Sequence, residues 1–203
     1  MKKFDTVIFD LGAVLIDWHP DHLYRKLLPE ESERAAFYRD ICTSDWNEEQ
    51  DGGRSLSEGT ELLVAKFPEK EGLIRAYYGR WHEMLNGPIQ GTVELMGELR
   101  NSGMYKLYAL TNWSAETFPI ALERFDFLGW FDGKVVSGEE KTRKPFQKMY
   151  TTLLERFSID PVRSIYIDDN VRNLKPAEDL GMTTIHFTDA ASLRSSLVML
   201  GVL

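Results

Sequence analysis

Asp10 closes the run Phe4-Asp5-Thr6-Val7-Ile8-Phe9-Asp10, and groups of comparable reactivity follow later apolar runs. Thr111-Asn112 and then Ser114 follow one. Lys144-Pro145 ends the loop after another, and Asp168-Asp169, with Asn170 and Asn173, follow a further one. Three carboxylates, an ammonium and a hydroxyl suit nucleophilic, metal-assisted chemistry on an anion. Acids gathered in a low-dielectric crevice repel one another and hold their protons more tightly. A hard divalent cation relieves that repulsion, and Mg²⁺ takes carboxylates together with water and a phosphate oxygen. Taken singly, each group has a plainer reading. An Asp after a strand serves as a helix N-cap, Thr-Asn as a turn, Lys-Pro as surface, and Asp-Asp-Asn as a capping cluster. Their occurrence together, in order and at run ends, favours the chemical reading.

The elements that must position these groups are short and alternating. Beyond the first run, β-branched and aromatic stretches at Tyr105 to Leu110, Lys134 to Val136, Ser164 to Ile167 and Thr183 to His186 read as buried strands. Helix-length amphipathic segments separate or follow them: Thr92 to Asn101, Glu116 to Arg124, Phe146 to Phe157, Asn173 to Leu180 and Ala190 to Leu200. Gly103 and Gly181 stand where helices stop. This alternation predicts an α/β fold, a Rossmann-like doubly wound parallel sheet of about five strands. Ligands of such sheets bind beyond the carboxyl ends of the strands, where the reactive groups lie.

One interval breaks the rhythm. More than ninety residues separate Asp10 from Tyr105, far beyond one crossover helix. Residues 20–86 are charged and helix-forming, with breaks at Pro29, Asp51-Gly52-Gly53 and Phe67-Pro68. They are expected to form a small helical cap, leaving 1–19 and 87–203 as the α/β core.

The 203 residues, 43% hydrophobic, with 5 Trp, 8 Tyr and 11 Phe, suffice for one substantial core. A net charge of −8 argues against a nucleic-acid partner, which needs clustered Lys and Arg. Cys42 is the single cysteine, so neither an intrachain disulfide nor a thiolate zinc cluster is available. Lys2 and Lys3 precede no apolar leader, because Asp5, Asp10 and Asp17 interrupt it, and no stretch is long and apolar enough for a membrane span. These features predict a cytoplasmic protein with no membrane partner; oligomeric state is not legible.

Four segments, in order, resemble the motifs of the haloacid dehalogenase-like superfamily, and within it the members with a small helical cap after the first strand. They are Val7-Ile8-Phe9-Asp10-Leu11-Gly12, Ala109-Leu110-Thr111-Asn112-Trp113-Ser114, Arg143-Lys144-Pro145, and Tyr166-Ile167-Asp168-Asp169-Asn170 with Asn173. The stretch from Asn173 to Met182 also resembles the phosphatase-type domain fused to some epoxide hydrolases. The resemblance implies a phosphatase acting on a small phosphorylated metabolite, in which Asp10 attacks phosphorus to form an aspartyl-phosphate that water hydrolyses. It implies Mg²⁺ held by Asp10, the Gly12 carbonyl and Asp169, with Asp168 direct or through water. Thr111 and the Asn112 amide would hold phosphoryl oxygens, Lys144 would offset charge and orient Asp10, and Asn173 would brace the metal loop.

One position departs from the family pattern. Its phosphatases usually carry a second Asp two residues after the nucleophile as general acid and base, and here that residue is Gly12. A glycine still offers a carbonyl to the metal but cannot shuttle a proton. Either another acid serves, with Asp17 and His19 nearby, or the leaving group needs little protonation. The acidic anomeric hydroxyl of a sugar 1-phosphate meets the second condition, and a bacterial subgroup with the same Asp-Leu-Gly turn includes sugar-1-phosphate phosphatases. The missing Asp also admits a metal-free 2-haloacid dehalogenase, although those enzymes place Ser and Asn where this chain has Asp168-Asp169. A non-catalytic phospholigand-binding protein is the remaining alternative, disfavoured because a binder needs no nucleophile. In the insertion, helical packing is the expected role of Trp46 and Trp81, and a solvated face that of Arg54. His82, also in the insertion, receives no assigned role, and Trp113, just after Asn112, either lines the pocket or covers the hinge of the cap.

Overall fold

The computed structural model describes residues 3–203. In chain order the strands and helices are β1 (Thr6–Phe9), β2 (Ile16–Trp18), α1 (Asp21–Leu27), α2 (Glu31–Asp40), α3 (Ser44–Asp51), α4 (Leu56–Lys66), α5 (Glu71–Gly79), β3 (Leu85–Pro88), α6 (Gln90–Asn101) and β4 (Lys106–Thr111). There follow α7 (Phe118–Arg124), β5 (Gly133–Val136), α8 (Ser137–Glu140), α9 (Gln147–Phe157), β6 (Ser164–Asp168), α10 (Val171–Asp179), β7 (Thr183–His186) and α11 (Ala190–Met199). The main sheet has the order β5-β4-β1-β6-β7, and every pairing in it is parallel.

Helices on both faces explain the near-continuous apolar strands. Successive side chains of a strand alternate between faces. Thus Val7, Phe9, Leu107, Ala109, Ile165 and Ile167 join one core. Ile8, Tyr108, Leu110 and Tyr166 join the other, against Met149, Tyr150 and Leu153 of α9 and Leu174 and Ala177 of α10. Gly103 and Gly181 take positive φ, +63° and +97°, where helices α6 and α10 give way to strands.

The sequence did not announce the second sheet, an antiparallel ribbon that pairs β2 with β3, Ile16 facing Pro88. Its strands bracket the five helices α1–α5. A turn in which the Leu11 carbonyl accepts from the Leu15 and Ile16 amides, both at 2.9 Å, folds the chain from β1 into this ribbon. Trp46 and Trp81 pack as expected. Trp46 lies 5.1 Å from Tyr77 and 5.2 Å from Tyr78, ring centre to ring centre, and Trp81 lies 5.4 Å from Trp113. Arg54 is not on a solvated face. Its guanidinium donates to Gln50 Oε1 at 2.6 Å and to the Trp46 carbonyl at 3.2 Å, closing the end of α3. Among the described residues no helix is long and apolar enough to cross a membrane.

Candidate active site

Asp10 leaves the central strand between the ends of β4 and β6, its amide donating to the Ile167 carbonyl at 2.8 Å. Parallel pairing on both sides brings Thr111, the last residue of β4, and Asp168, the last of β6, to the same edge. A cleft of about 440 Å³ opens there, lined by Asp10, Gly12, Asn112, Lys144, Asp169 and Asn173 from the sheet edge and by α2, α3 and α5 residues from above.

Lys144 is the centre of the site. Its side chain is fully buried, and Nζ lies 2.9 Å from Asp10 Oδ2 and 2.7 Å from Asp168 Oδ2. The backbone of Lys144 is clamped by the Asn112 side chain, which donates to its carbonyl at 3.0 Å and accepts from its amide at 2.8 Å. Two backbone groups of the lysine loop thus depend on one amide side chain at the β4 end. Asn112→Ala leaves them unpaired, at a cost of about 2 kcal/mol. The expected result is a melting temperature lower by about 6 °C in a chain of this size, read by thermal unfolding.

Asp168 is saturated. Oδ2 accepts from Lys144, from the Tyr166 hydroxyl and from Asn173 Nδ2, and Oδ1 accepts from the Asn170 amide at 2.8 Å and Asn173 Nδ2 at 3.0 Å. Burial alone would raise its pKa; the Lys144 charge and these donors outweigh burial and hold it below the usual carboxylate range. Tyr166, part of the fourth motif but given no role there, stands two residues before Asp168 and so faces the same side of β6, a signal that strand periodicity carries.

Asp10 is poised in the opposite direction. Burial pushes its carboxyl up to about 7, with the Asp168 and Asp169 charges adding and Lys144 opposing. Its Oδ1 accepts from the Leu11 amide at 2.7 Å. Asp169, half-buried, is also raised, by burial and then by Asp168. Burial would lower the Lys144 pKa, but the Asp10 and Asp168 charges hold it above the usual lysine value.

One oxygen each of Asp10, Asp168 and Asp169 fall within 4.8 Å of one another, close enough to share one cation. Because the Asp168 oxygens are already bonded, Asp10 and Asp169 are the carboxylates with capacity for a metal. The Thr111 hydroxyl is buried without a hydrogen-bond partner among the described residues, as a donor reserved for a ligand would be. Asn173 sits between Asp168 and Tyr150, whose hydroxyl donates to its carbonyl at 2.8 Å.

Of the two acids considered as replacements at Gly12, Asp17 turns away. Its oxygens pair with His22 Nε2 at 2.9 Å and Asn86 Nδ2 at 2.8 Å, and it lines a separate pocket. His19 reaches the cleft, with Nδ1 accepting from the Asp21 amide at 3.0 Å. Trp113 is buried between Trp81 and Phe118, covering the junction of core and insertion.

This parallel sheet, with a buried lysine and three aspartates at its carboxyl edge, defines a Rossmann-like α/β protein with an acidic strand-end site. The chain belongs to the haloacid dehalogenase-like hydrolases, whose family profile matches residues 7–187. It is 27% identical over 198 residues to a sesquiterpene phosphatase of Aspergillus oryzae, an alignment spanning 92% of this chain and 91% of that one. It is 24% identical over 196 residues to an N-acetylmuramic acid 6-phosphate phosphatase of Pseudomonas aeruginosa, covering 90% of this chain and 80% of the relative. The fold matches the crystal structure of a haloacid dehalogenase family enzyme from Bacteroides thetaiotaomicron in complex with magnesium and inorganic phosphate. The TM-score there is 0.67 at 22% identity, over 92% of this chain and 95% of that one.

Proposed function

We propose that the protein is a Mg²⁺-dependent, cytoplasmic phosphatase that acts on a small phosphorylated metabolite, a sugar phosphate among the candidates, through an aspartyl-phosphate on Asp10. In this reading residues 20–86 act as the cap over a core of 1–19 and 87–203. The observation that carries it is the three-acid cluster beside an ion-paired, fully buried lysine, with one of the three, Asp10, opening to the cleft. Phosphatases among the similar proteins support the reaction type.

The acid cluster fits a hard divalent cation, because three carboxylates within reach of one another face a single ammonium. Asp10, Asp169 and the Gly12 carbonyl would hold it, with Asp168 in support through water. When bound, the ion supplies the charge neutralisation that lets an anionic nucleophile meet an anionic phosphate. The chain's own groups do the rest. Asp10 forms the bond to phosphorus, and Lys144 keeps its carboxyl group oriented and balances charge. The Thr111 hydroxyl and Asn112 amide receive phosphoryl oxygens, and Asn173 holds Asp168 against Lys144.

The test is phosphate release from sugar phosphates, nucleotides and acyl phosphates with Mg²⁺, repeated with EDTA. EDTA is expected to reduce turnover by at least about 100-fold, with excess Mg²⁺ restoring it. EDTA-insensitive halide release from a 2-haloacid would establish the dehalogenase instead. Ligand binding without turnover under any condition would leave only a binder.

A further inference from the structure

Gly12 provides no side chain two residues beyond Asp10, and a Cβ placed there would meet no atom within 4 Å. The space above it is bordered from the insertion by Asp51, the last residue of α3. Asp51 lines the main cleft together with Asp10, Gly12 and Lys144. It also lines an adjoining pocket of about 70 Å³, walled by Trp81 and Trp113. Gly12, Trp18, Asn47, Asp51 and Asn112 belong to both, so Asp51 stands where the two spaces meet and shares the open space above the vacant side-chain position.

The core fixes Asp51 in place. The Ser137 hydroxyl donates to the Asp51 carbonyl at 2.5 Å while accepting from the Trp113 amide at 2.8 Å. Asn47 Nδ2 donates to the Asp51 carboxyl group at 2.9 Å, and the Ser114 backbone amide faces it from the β4 loop. The charged and titratable groups around it are Glu48 on its own helix, Arg143 on the lysine loop, and Tyr77 and Tyr78 on α5. Glu48 is itself paired with Arg172 at 2.7 Å and Arg143 at 3.5 Å.

Building on the phosphatase reading above, we propose that Asp51 is the acid–base residue of the reaction, delivered by the insertion in place of a side chain at position 12. A carboxylate oxygen of Asp10 bonds to phosphorus as the bond from phosphorus to the ester oxygen breaks. The electron pair stays on that oxygen, which takes the Asp51 proton and departs as an alcohol. A water oxygen then bonds to phosphorus and passes its proton to the Asp51 carboxylate. The bond to Asp10 breaks, its electron pair returning to the Asp10 carboxylate, and inorganic phosphate leaves. Burial places the Asp51 carboxyl group at about 7, so both its donating and its accepting forms are present at neutral pH.

The experiment compares wild type and Asp51→Asn with phenyl phosphate, whose leaving group needs a proton, and 4-nitrophenyl phosphate, whose leaving group does not. For the variant, kcat/KM is expected to fall at least about 100-fold on phenyl phosphate and to stay within about threefold on 4-nitrophenyl phosphate, the range of general acid catalysis. Because water then lacks its base, the variant should also release one equivalent of 4-nitrophenolate per enzyme in a burst before slow turnover. That burst shows Asp10 intact and the variant folded. Equal losses on both substrates without a burst, or unchanged kinetics on both, overturn the proposal. So does the same selective loss in His19→Gln when Asp51→Asn behaves as wild type. A wild-type enzyme that releases phosphate from neither ester nor from the metabolite panel refutes the phosphatase reading itself, and that result is separate from any effect of Asp51.

Discussion

Asp10→Asn is expected to abolish turnover, lowering kcat by at least about 10⁴-fold, while making the metal-free protein more stable at neutral pH. The loss follows because an amide cannot attack phosphorus and neither other acid replaces it: Asp168 is bonded on both oxygens, and Asp169 is the carboxylate assigned to the metal. The gain follows from the Asp10 environment. Its pKa is about 7 in the folded chain, against 3.8 as the ordinary value, so the folded state binds that proton more tightly. Between these values the unfolded chain has lost the proton and the folded chain has kept it, so stability falls as pH rises from about 4 to about 7, then levels off. Asn carries no such charge. The advantage of the variant should therefore be absent below about pH 4, grow across that window and stay constant above it, reaching about 5 °C in melting temperature. Mg²⁺ should narrow it by stabilising the wild type. Thermal melts from pH 3 to pH 8, with EDTA and with Mg²⁺, supply the check. A variant that is less stable than wild type at pH 8 without metal would contradict the electrostatic account.

Lys144→Met should fail in both respects. The ammonium is shared by Asp10 and Asp168, and its removal leaves two buried carboxyl groups facing each other. Removing one partner of a buried ion pair costs about 3–5 kcal/mol, here about 10 °C in melting temperature. The loss of charge balance at phosphorus should reduce kcat by about 10³-fold. Arg is not expected to rescue either property, because a planar fork does not fit a pocket built around a compact ammonium. The sign of the pH dependence is again fixed. Asp168 is depressed below 3.8 with Lys144 as a main cause, so its share of the stability is present above 3.8 and fades as pH falls through the depressed value. The difference between wild type and Lys144→Met should accordingly be large at pH 7 and shrink as pH falls below 3.8, as measured by denaturant or thermal unfolding.

The strands and most of the reactive groups were legible because burial on both faces writes a parallel strand as a short, nearly unbroken apolar run. The run from Phe4 to Asp10 and the runs ending near Leu110 and Ile167 occupy neighbouring strands, so their last residues meet at one edge by register alone. The ribbon of β2 and β3 was not legible. Ile16 pairs with Pro88 across the whole insertion, and segments of three and four residues carry too little pattern to announce a partner so distant. The burial of Asp51 was hidden for a related reason. Asp51-Gly52-Gly53 reads locally as a solvent-facing helix end, and only contact with Ser137 and the β4 loop encloses it. Arg54 misled for a different reason, since its partners Trp46 and Gln50 lie on the preceding helix and fold the guanidinium back onto α3. For Asp168, charge and position were readable, but its saturation by four donor groups was not, and that saturation makes it the anchor of Lys144.

The Glu48 cluster ties together parts of the chain that otherwise have no reason to move in concert. Glu48 on α3 holds Arg172 on α10 and Arg143 on the lysine loop, and the Glu48 carbonyl accepts from Arg143 Nε at 3.1 Å. Arg143 is the covalent neighbour of Lys144. Helix α3, which lines the cleft, is thus tied through these contacts both to α10 and to the segment that carries the ammonium.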